Sequence, residues 1–142
     1  MPRHAFTVIS AIFLTACGGG DDGGAADPHT TIPPAVTDMT NLERGAILYK
    51  RCRACHTLGQ GERHKVGPNL WGIYGRTAGT REDFNYSNAM AGSEIVWSDE
   101  TLSAYIENPR DYIPGNRMSF AGLRKEADRD ALLEYLRAET GG

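Results

Sequence analysis

Cys52-Arg53-Ala54-Cys55-His56 concentrates the reactive side chains of this chain: two thiols three positions apart, followed at once by an imidazole. On one helical turn such thiols can add across the two vinyl groups of a haem while the next residue offers its imidazole to the iron. The same residue types allow other chemistries. A structural zinc site wants two more Cys or His ligands, and His64 is the one extra candidate nearby; a lone histidine there more often serves as a surface or hydrogen-bonding residue. A redox dithiol expects a strand–helix–strand context that the flanking pattern lacks. A disulfide over this short spacing is geometrically awkward. The pattern therefore favours one covalent haem c, bonded through Cys52 and Cys55 and ligated by His56.

An iron that cycles electrons without binding substrate needs a second axial ligand, and a methionine thioether raises the potential. Met39, Met90 and Met118 are the candidates beyond the first residue. Met39 falls in a tether-like stretch, and Met90 reads better as a flexible core filler. Met118 follows the Pro114-Gly115 turn in Ile113-Pro114-Gly115-Asn116-Arg117-Met118, a loop able to cross an open haem face. His56 and Met118 are the expected iron ligands.

The elements that must position these groups are helical. A first helix is expected from about Asn41 to Arg51, capped by Thr40 or Asp38, with Leu42, Ala46 and Tyr49 on one face. Gly45 weakens that helix unless another backbone passes close, and so marks a helix crossing. Ser98 caps a second helix that presents Leu102, Tyr105 and Ile106 and stops before Pro109. A third runs from about Ala127 to Glu139, with Leu132, Leu133, Tyr135 and Leu136 as its apolar stripe. No segment alternates long enough for a strand. Residues 57–97 and 109–126 read as loops, too long for an ordinary small domain unless they wrap something that completes the core.

The 142 residues suit one compact domain plus extra segments, and the net charge of -3 is unevenly spread. Four acids (Asp21, Asp22, Asp27, Asp38) and no bases lie between residues 17 and 40, whereas from Asn41 onward 14 basic and 14 acidic side chains balance. Charge thus gives no footing for nucleic acid. At the start, Arg3 and His4 precede a 12-residue apolar run, Ala5 to Ala16, too short to span a bilayer but suited to a signal-peptide core. Leu14-Thr15-Ala16-Cys17 resembles a bacterial lipoprotein signal, whose peptidase cuts before the Cys and whose thiol carries lipid. Ordinary secretion with an incidental Cys17 is the alternative. Residues 1–16 are expected as a cleaved signal peptide. Residues 17–40, with a Gly/Asp run and then Pro28, Pro33 and Pro34, follow as a flexible, lipidated tether. Residues 41–142 form the domain.

Those residues also carry a family resemblance. From about Asn41 to Thr140 the chain resembles class I cytochrome c of the mitochondrial and bacterial c2 types. The motifs are Gly45-x-x-x-Tyr49, Cys52-x-x-Cys55-His56, Gly67-Pro68-Asn69-Leu70, Tyr74-Gly75-Arg76, Tyr86, Trp97, Tyr105-x-x-Asn108-Pro109, Tyr112-Ile113-Pro114-Gly115-x-x-Met118 and Leu132-x-x-Tyr135. The resemblance implies an all-α fold of three to five helices with long loops around one covalent haem, the N- and C-terminal helices crossing at right angles where Gly45 and Tyr49 meet Leu132 and Tyr135. It implies that the Pro68 carbonyl accepts from the His56 ring, that Tyr86 and Trp97 hydrogen-bond one propionate with Arg76 close by, and that Tyr105 and Asn116 lie near the Met118 sulfur. Arg51, Arg63, Lys65, Arg110, Arg117, Arg124 and Lys125 fall where the family has a basic ring around the haem edge; a scattered solvated surface is the alternative.

Two departures stand out. The Gly45 to Cys52 spacing is one residue shorter than the mitochondrial pattern, and Met90 replaces a common interior Asn near a propionate. The implied function is a non-enzymatic single-electron carrier, expected as a monomer and lipid-anchored on the extracytoplasmic or periplasmic face of a bacterial membrane. Its expected partners are a quinol-oxidising complex and a terminal oxidase or photosynthetic reaction centre. A peroxidase-like or gas-sensing haem with a labile sixth ligand is the rival. Cys17→Ser should move the protein from the membrane to the soluble fraction; wild-type protein found only in the soluble fraction would contradict lipidation.

Overall fold

The computed structural model describes residues 39–142, so the expected signal peptide, Cys17 and nearly all of the tether lie outside the described residues. Five helices follow in order: α1 (Asn41–Tyr49), α2 (Asn88–Ala91), α3 (Asp99–Glu107), α4 (Pro109–Tyr112) and α5 (Glu126–Glu139). The architecture is all-α, with an isolated antiparallel bridge between Thr77 and Val96. No helix among the described residues is long and apolar enough to cross a membrane.

Local chemistry sets the helix starts. The Thr40 side chain accepts from the Glu43 N–H, and the Glu43 carboxylate accepts from the Thr40 N–H in return. Ser98 and Thr101 close the same kind of reciprocal cap on α3. Pro109 opens α4 at a position where its missing N–H costs nothing.

Packing of α1 on α5 is the main helix–helix contact. A Cβ on Gly45 would overlap the Ala131 carbonyl and stand 2.5 Å from the Tyr135 Cβ, so only glycine lets the two backbones pass this closely. Tyr49 then meets Tyr135 with ring centroids 5.6 Å apart, and Arg44 pairs with Asp128 beside the crossing. This contact chooses the buried face of α1. Gly45 and Tyr49 are buried, while Leu42, expected on the same face, is 43% exposed.

The intervals expected as pure loop contain α2 and α4, each a single turn: the Ser87 side chain caps α2, and Pro109 opens α4 without a side-chain cap. They are tied down by specific bonds. Gly75 N–H reaches the Trp97 carbonyl and Trp97 N–H the Arg76 carbonyl, stitching two loop segments together. Arg129, buried on α5, donates to Ser103 Oγ and to the carbonyls of Leu123 and Arg124, and faces Glu107 at 3.6 Å. It thereby joins α5, α3 and the 113–125 segment. Tyr74 donates to the Leu133 carbonyl, and the Arg137 guanidinium stacks over its ring at 4.2 Å. Gly45→Ala should cost about 3 kcal/mol or more of holoprotein stability in denaturant unfolding. A loss within ~0.5 kcal/mol would mean that the helices do not meet at Gly45.

Candidate functional site

The turn after α1 carries the thiols. Cys52 N–H bonds to the Tyr49 carbonyl, and both Cys55 and His56 N–H bond back to the Cys52 carbonyl, so the three side chains share one turn. Cys52 is half-buried and Cys55 exposed, and both thiols are free. Burial pushes the Cys52 thiol up to about 11. A redox dithiol or a zinc thiolate needs the opposite shift. Among the described residues no three His, Cys, Asp or Glu gather to hold a metal ion. Both arguments turn against the zinc and dithiol readings.

His56 is held on two sides. Its Nδ1–H donates to the Pro68 carbonyl at 2.7 Å, which fixes the tautomer and leaves the Nε2 lone pair unused. Gly67 lies against the ring so closely that a Cβ there would come within 2.8 Å of Nδ1 and Nε2. The Gly67 N–H reaches the Cys55 carbonyl, locking this loop onto the thiol turn. Burial, opposed by the Pro68 bond and assisted by Lys65, lowers the His56 pKa, so the ring is a neutral imidazole at neutral pH. A neutral imidazole with an oriented, basic Nε2 is the donor an axial iron site requires.

Met118 is positioned by Asn116 and Tyr105. Asn116 donates through Nδ2 to the Pro109 and Ile113 carbonyls at 2.6 and 2.8 Å, and its Oδ1 accepts from the Met118 N–H at 2.9 Å. The Tyr105 hydroxyl lies 3.8 Å from the Met118 sulfur and 3.5 Å from Asn116 Oδ1. Burial raises the Tyr105 pKa, keeping this hydroxyl a donor. Trp97 and Tyr112 pack on Tyr105, with centroids 5.1 and 6.2 Å away. Cys52, Met90 and Met118 all lean on the same buried cluster, to which Tyr105, Trp97 and Leu102 belong. Met90 is partly buried on α2 and fills space beside that cluster. The residues present fit a covalent haem: two thiols on one turn, a neutral imidazole with a free Nε2, and a pinned thioether, with Cys52 and Met118 packed on one apolar cluster.

Arg76 and Tyr86 are polar neighbours of one another, while Trp97 belongs to the buried cluster itself. Arg76 donates to the Trp71 carbonyl, and its side chain lies near enough to Tyr86 for the two to influence each other electrostatically. Burial lowers the Arg76 pKa and raises that of Tyr86. The seven basic residues expected at a docking face are all exposed, and none makes an ion pair among the described residues. Three are held in place: the Arg51 guanidinium covers the Phe120 ring at 4.9 Å, Arg117 donates to the Asn85 carbonyl at 2.7 Å, and Lys65 Nζ donates to the Arg53 carbonyl at 2.7 Å.

Two contributors escaped the sequence reading, and a third, His64, has the hydrogen-bonding role favoured for it there. Asn69, fully buried, donates to Thr57 Oγ1 and to the Gly59 carbonyl and accepts from the Trp71 N–H, holding the strap behind His56. Arg81 joins Arg76 on the Trp71 carbonyl. His64, weighed above as a metal ligand, instead accepts from the Asn69 N–H through Nδ1 and donates through Nε2 to the Glu82 carbonyl. The Asn69-Leu70 motif hinted at the first. Nothing in the local pattern hinted at Arg81.

Comparison with known proteins bears on this geometry. A family model described as Cytochrome c matches residues 42–139. The chain is 48% identical over 101 residues to a cytochrome c of Stellaria longipes, covering 70% of this chain and 94% of that protein. It is 48% identical over 99 residues to a cytochrome c2 of Agrobacterium tumefaciens, covering 68% and 89%. A cytochrome c of Theileria parva is 48% identical over 106 residues, covering 74% and 91%. Met118→Ala should abolish the sulfur-to-iron charge-transfer absorption of the ferric holoprotein, while Met90→Leu retains it. The reverse pattern would assign the ligand to Met90.

Proposed function

The chain belongs to the cytochrome c family, whose members bind haem c covalently and carry electrons to and from redox partner proteins, and on that premise we propose that it is a His56/Met118-ligated monohaem carrier working between membrane redox complexes while tethered by lipid at Cys17. The cofactor supplies the one-electron couple. Cys52 and Cys55 bond it, His56 and Met118 ligate its iron, and the chain's other residues hold those ligands still between oxidation states. The observation that carries this reading is the bracing of Met118: Asn116 fixes its backbone and Tyr105 faces its sulfur, which supports a thioether held ready as the sixth ligand. A peroxidase-like or gas-sensing haem would need that loop to yield. The expected non-enzymatic character follows from the same bracing.

Cys55 is solvent-exposed, so a group bonded there would reach the surface, where Arg51, Arg63 and Lys65 are exposed as well. Guanidinium and ammonium groups without an ion-pair partner among the described residues steer encounter with an acidic patch on a partner and act mainly on the on-rate. The lipoprotein reading of Cys17 places the carrier on the extracytoplasmic face of a bacterial membrane. There a quinol-oxidising complex as donor, and a terminal oxidase or photosynthetic centre as acceptor, suit a tethered monomer. Redox titration on native membranes with added oxidase tests the whole. A reversible one-electron couple that the oxidase drains is expected; peroxide turnover by fresh protein at enzymatic rates would favour the rival. Reversing Arg51 and Arg117 to Glu should slow reduction by the partner about tenfold or more at low salt and little at high salt. Equal rates at all ionic strengths would remove the basic face.

A further inference from the structure

Met118 is braced through its backbone from one side only. Asn116 holds it from upstream, through the bond to the Met118 N–H. Downstream, the next backbone hydrogen bond along the chain runs from Leu123 N–H to the Ile106 carbonyl at 2.9 Å. There the chain is firmly held: Gly122 passes so close to Glu107 that a Cβ would overlap its carbonyl, and buried Arg129 takes the Leu123 and Arg124 carbonyls. Among the described residues, no hydrogen bond ties the backbone of Ser119, Phe120 or Ala121.

A side chain holds this stretch instead. Phe120 is partly buried and packs against the apolar cluster that also receives Cys52 and Met118. The Arg51 guanidinium lies over its ring, 4.9 Å from the centroid, within the range at which the ring quadrupole attracts a cation. Arg51 immediately precedes Cys52, and Phe120 stands two residues after Met118. One contact therefore joins the thiol turn to the unsupported side of the Met118 loop.

The arginine end is rigid. Arg51 N–H bonds to the Leu48 carbonyl at 3.1 Å and Arg53 N–H to the Tyr49 carbonyl at 3.0 Å, which fastens the turn to α1. Lys65 Nζ reaches the Arg53 carbonyl at 2.7 Å and Gly67 N–H the Cys55 carbonyl at 2.8 Å, which fastens it to the 57–70 strap. Arg51 has no ion-pair partner among the described residues, and the Asp128 carboxylate of α5 is taken by Arg44. A ring anchors a cation without neutralising it, whereas a carboxylate would cancel its charge. Arg51 can thus be fixed in place and still present full positive charge to a partner.

We propose that Arg51 is a positioning residue for the sixth ligand: its contact with Phe120 straps the Met118 loop to the thiol turn and keeps the thioether on ferric iron against competing ligands. This rests on the His56/Met118 carrier reading and names a residue that secures it. An outside ligand reaches the sixth position only while the loop is open, so its apparent affinity scales with the open fraction. A contact made only in the closed loop lowers that fraction.

The test is titration of the ferric holoprotein with imidazole, followed by loss of the sulfur-to-iron absorption. Arg51→Gln should tighten apparent imidazole binding about two- to fivefold, and Phe120→Leu, which keeps apolar bulk but loses the ring face, by at least as much. The double variant should bind no tighter than the tighter single variant, because both changes break one contact. Arg51→Lys, which keeps a cation in reach of the ring, should return to within about twofold of wild type. Single-variant effects that multiply in the double variant overturn the proposal, as does a lysine variant as open as the glutamine one. Reduced stability in denaturant with unchanged imidazole affinity overturns it too, because the contact is then merely structural. Wild type that lacks the sulfur-to-iron absorption before imidazole is added fails the His/Met reading itself, and the proposal with it.

Discussion

The hydrogen bond from His56 Nδ1 to the Pro68 carbonyl is the contact on which the rest of this molecule turns. It commits one ring nitrogen and leaves the other free to ligate. It also sets where the 57–70 strap must run, because Gly67 lies flat against the imidazole and admits no side chain. Asn69 then ties the strap to Thr57 and Gly59, and His64 ties it onward to the loop holding Arg81. One donor–acceptor pair therefore links the thiol turn to half of the loop structure. A different tautomer would leave the Pro68 carbonyl without its donor and turn the ligating lone pair away from its task.

Opposite constraints shape the other half. Helices α1 and α5 meet through glycine, and Arg129 binds α5 to α3 and to the segment leading from the Met118 loop. The loop itself hangs on one side chain, Asn116, which satisfies two carbonyls and one N–H at once. This economy explains how a chain with two single-turn helices and long irregular segments keeps a fixed geometry: most loop bends are paired to a named donor or acceptor. A cofactor that fills the centre gives these segments a surface to close on, and the family binds such a cofactor covalently.

Much of this was legible in the sequence. The thiol turn, His56, Met118 and the helix-crossing role of Gly45 follow from residue chemistry, and the Pro68 contact and the Tyr105 and Asn116 placements came with the family resemblance. Ser98 announced α3 by its capping chemistry. Other features were not legible, for physical reasons. The buried face of α1 is chosen by the backbone approach at Gly45, so Leu42, though apolar and correctly spaced, faces outward. The helices α2 and α4 are single turns stabilised by Ser87 and Pro109, too short to show periodicity. Arg129 and Arg81 are charged residues whose value lies in distant carbonyls, which no local pattern announces. The Tyr86 and Trp97 contacts to a propionate, and the lipid on Cys17, remain proposals resting on the resemblance.

The central claim is that the same two side chains ligate the iron in both oxidation states, which is what allows electron transfer with little rearrangement. Proton NMR of the wild-type holoprotein, with selective methionine methyl labelling, tests it most directly. An iron-bound methionine methyl, strongly displaced by the haem ring current in the ferrous state and by the unpaired spin in the ferric state, is expected in both spectra and assigned to Met118. A methyl displaced in only one state, or one belonging to Met90, would contradict the account.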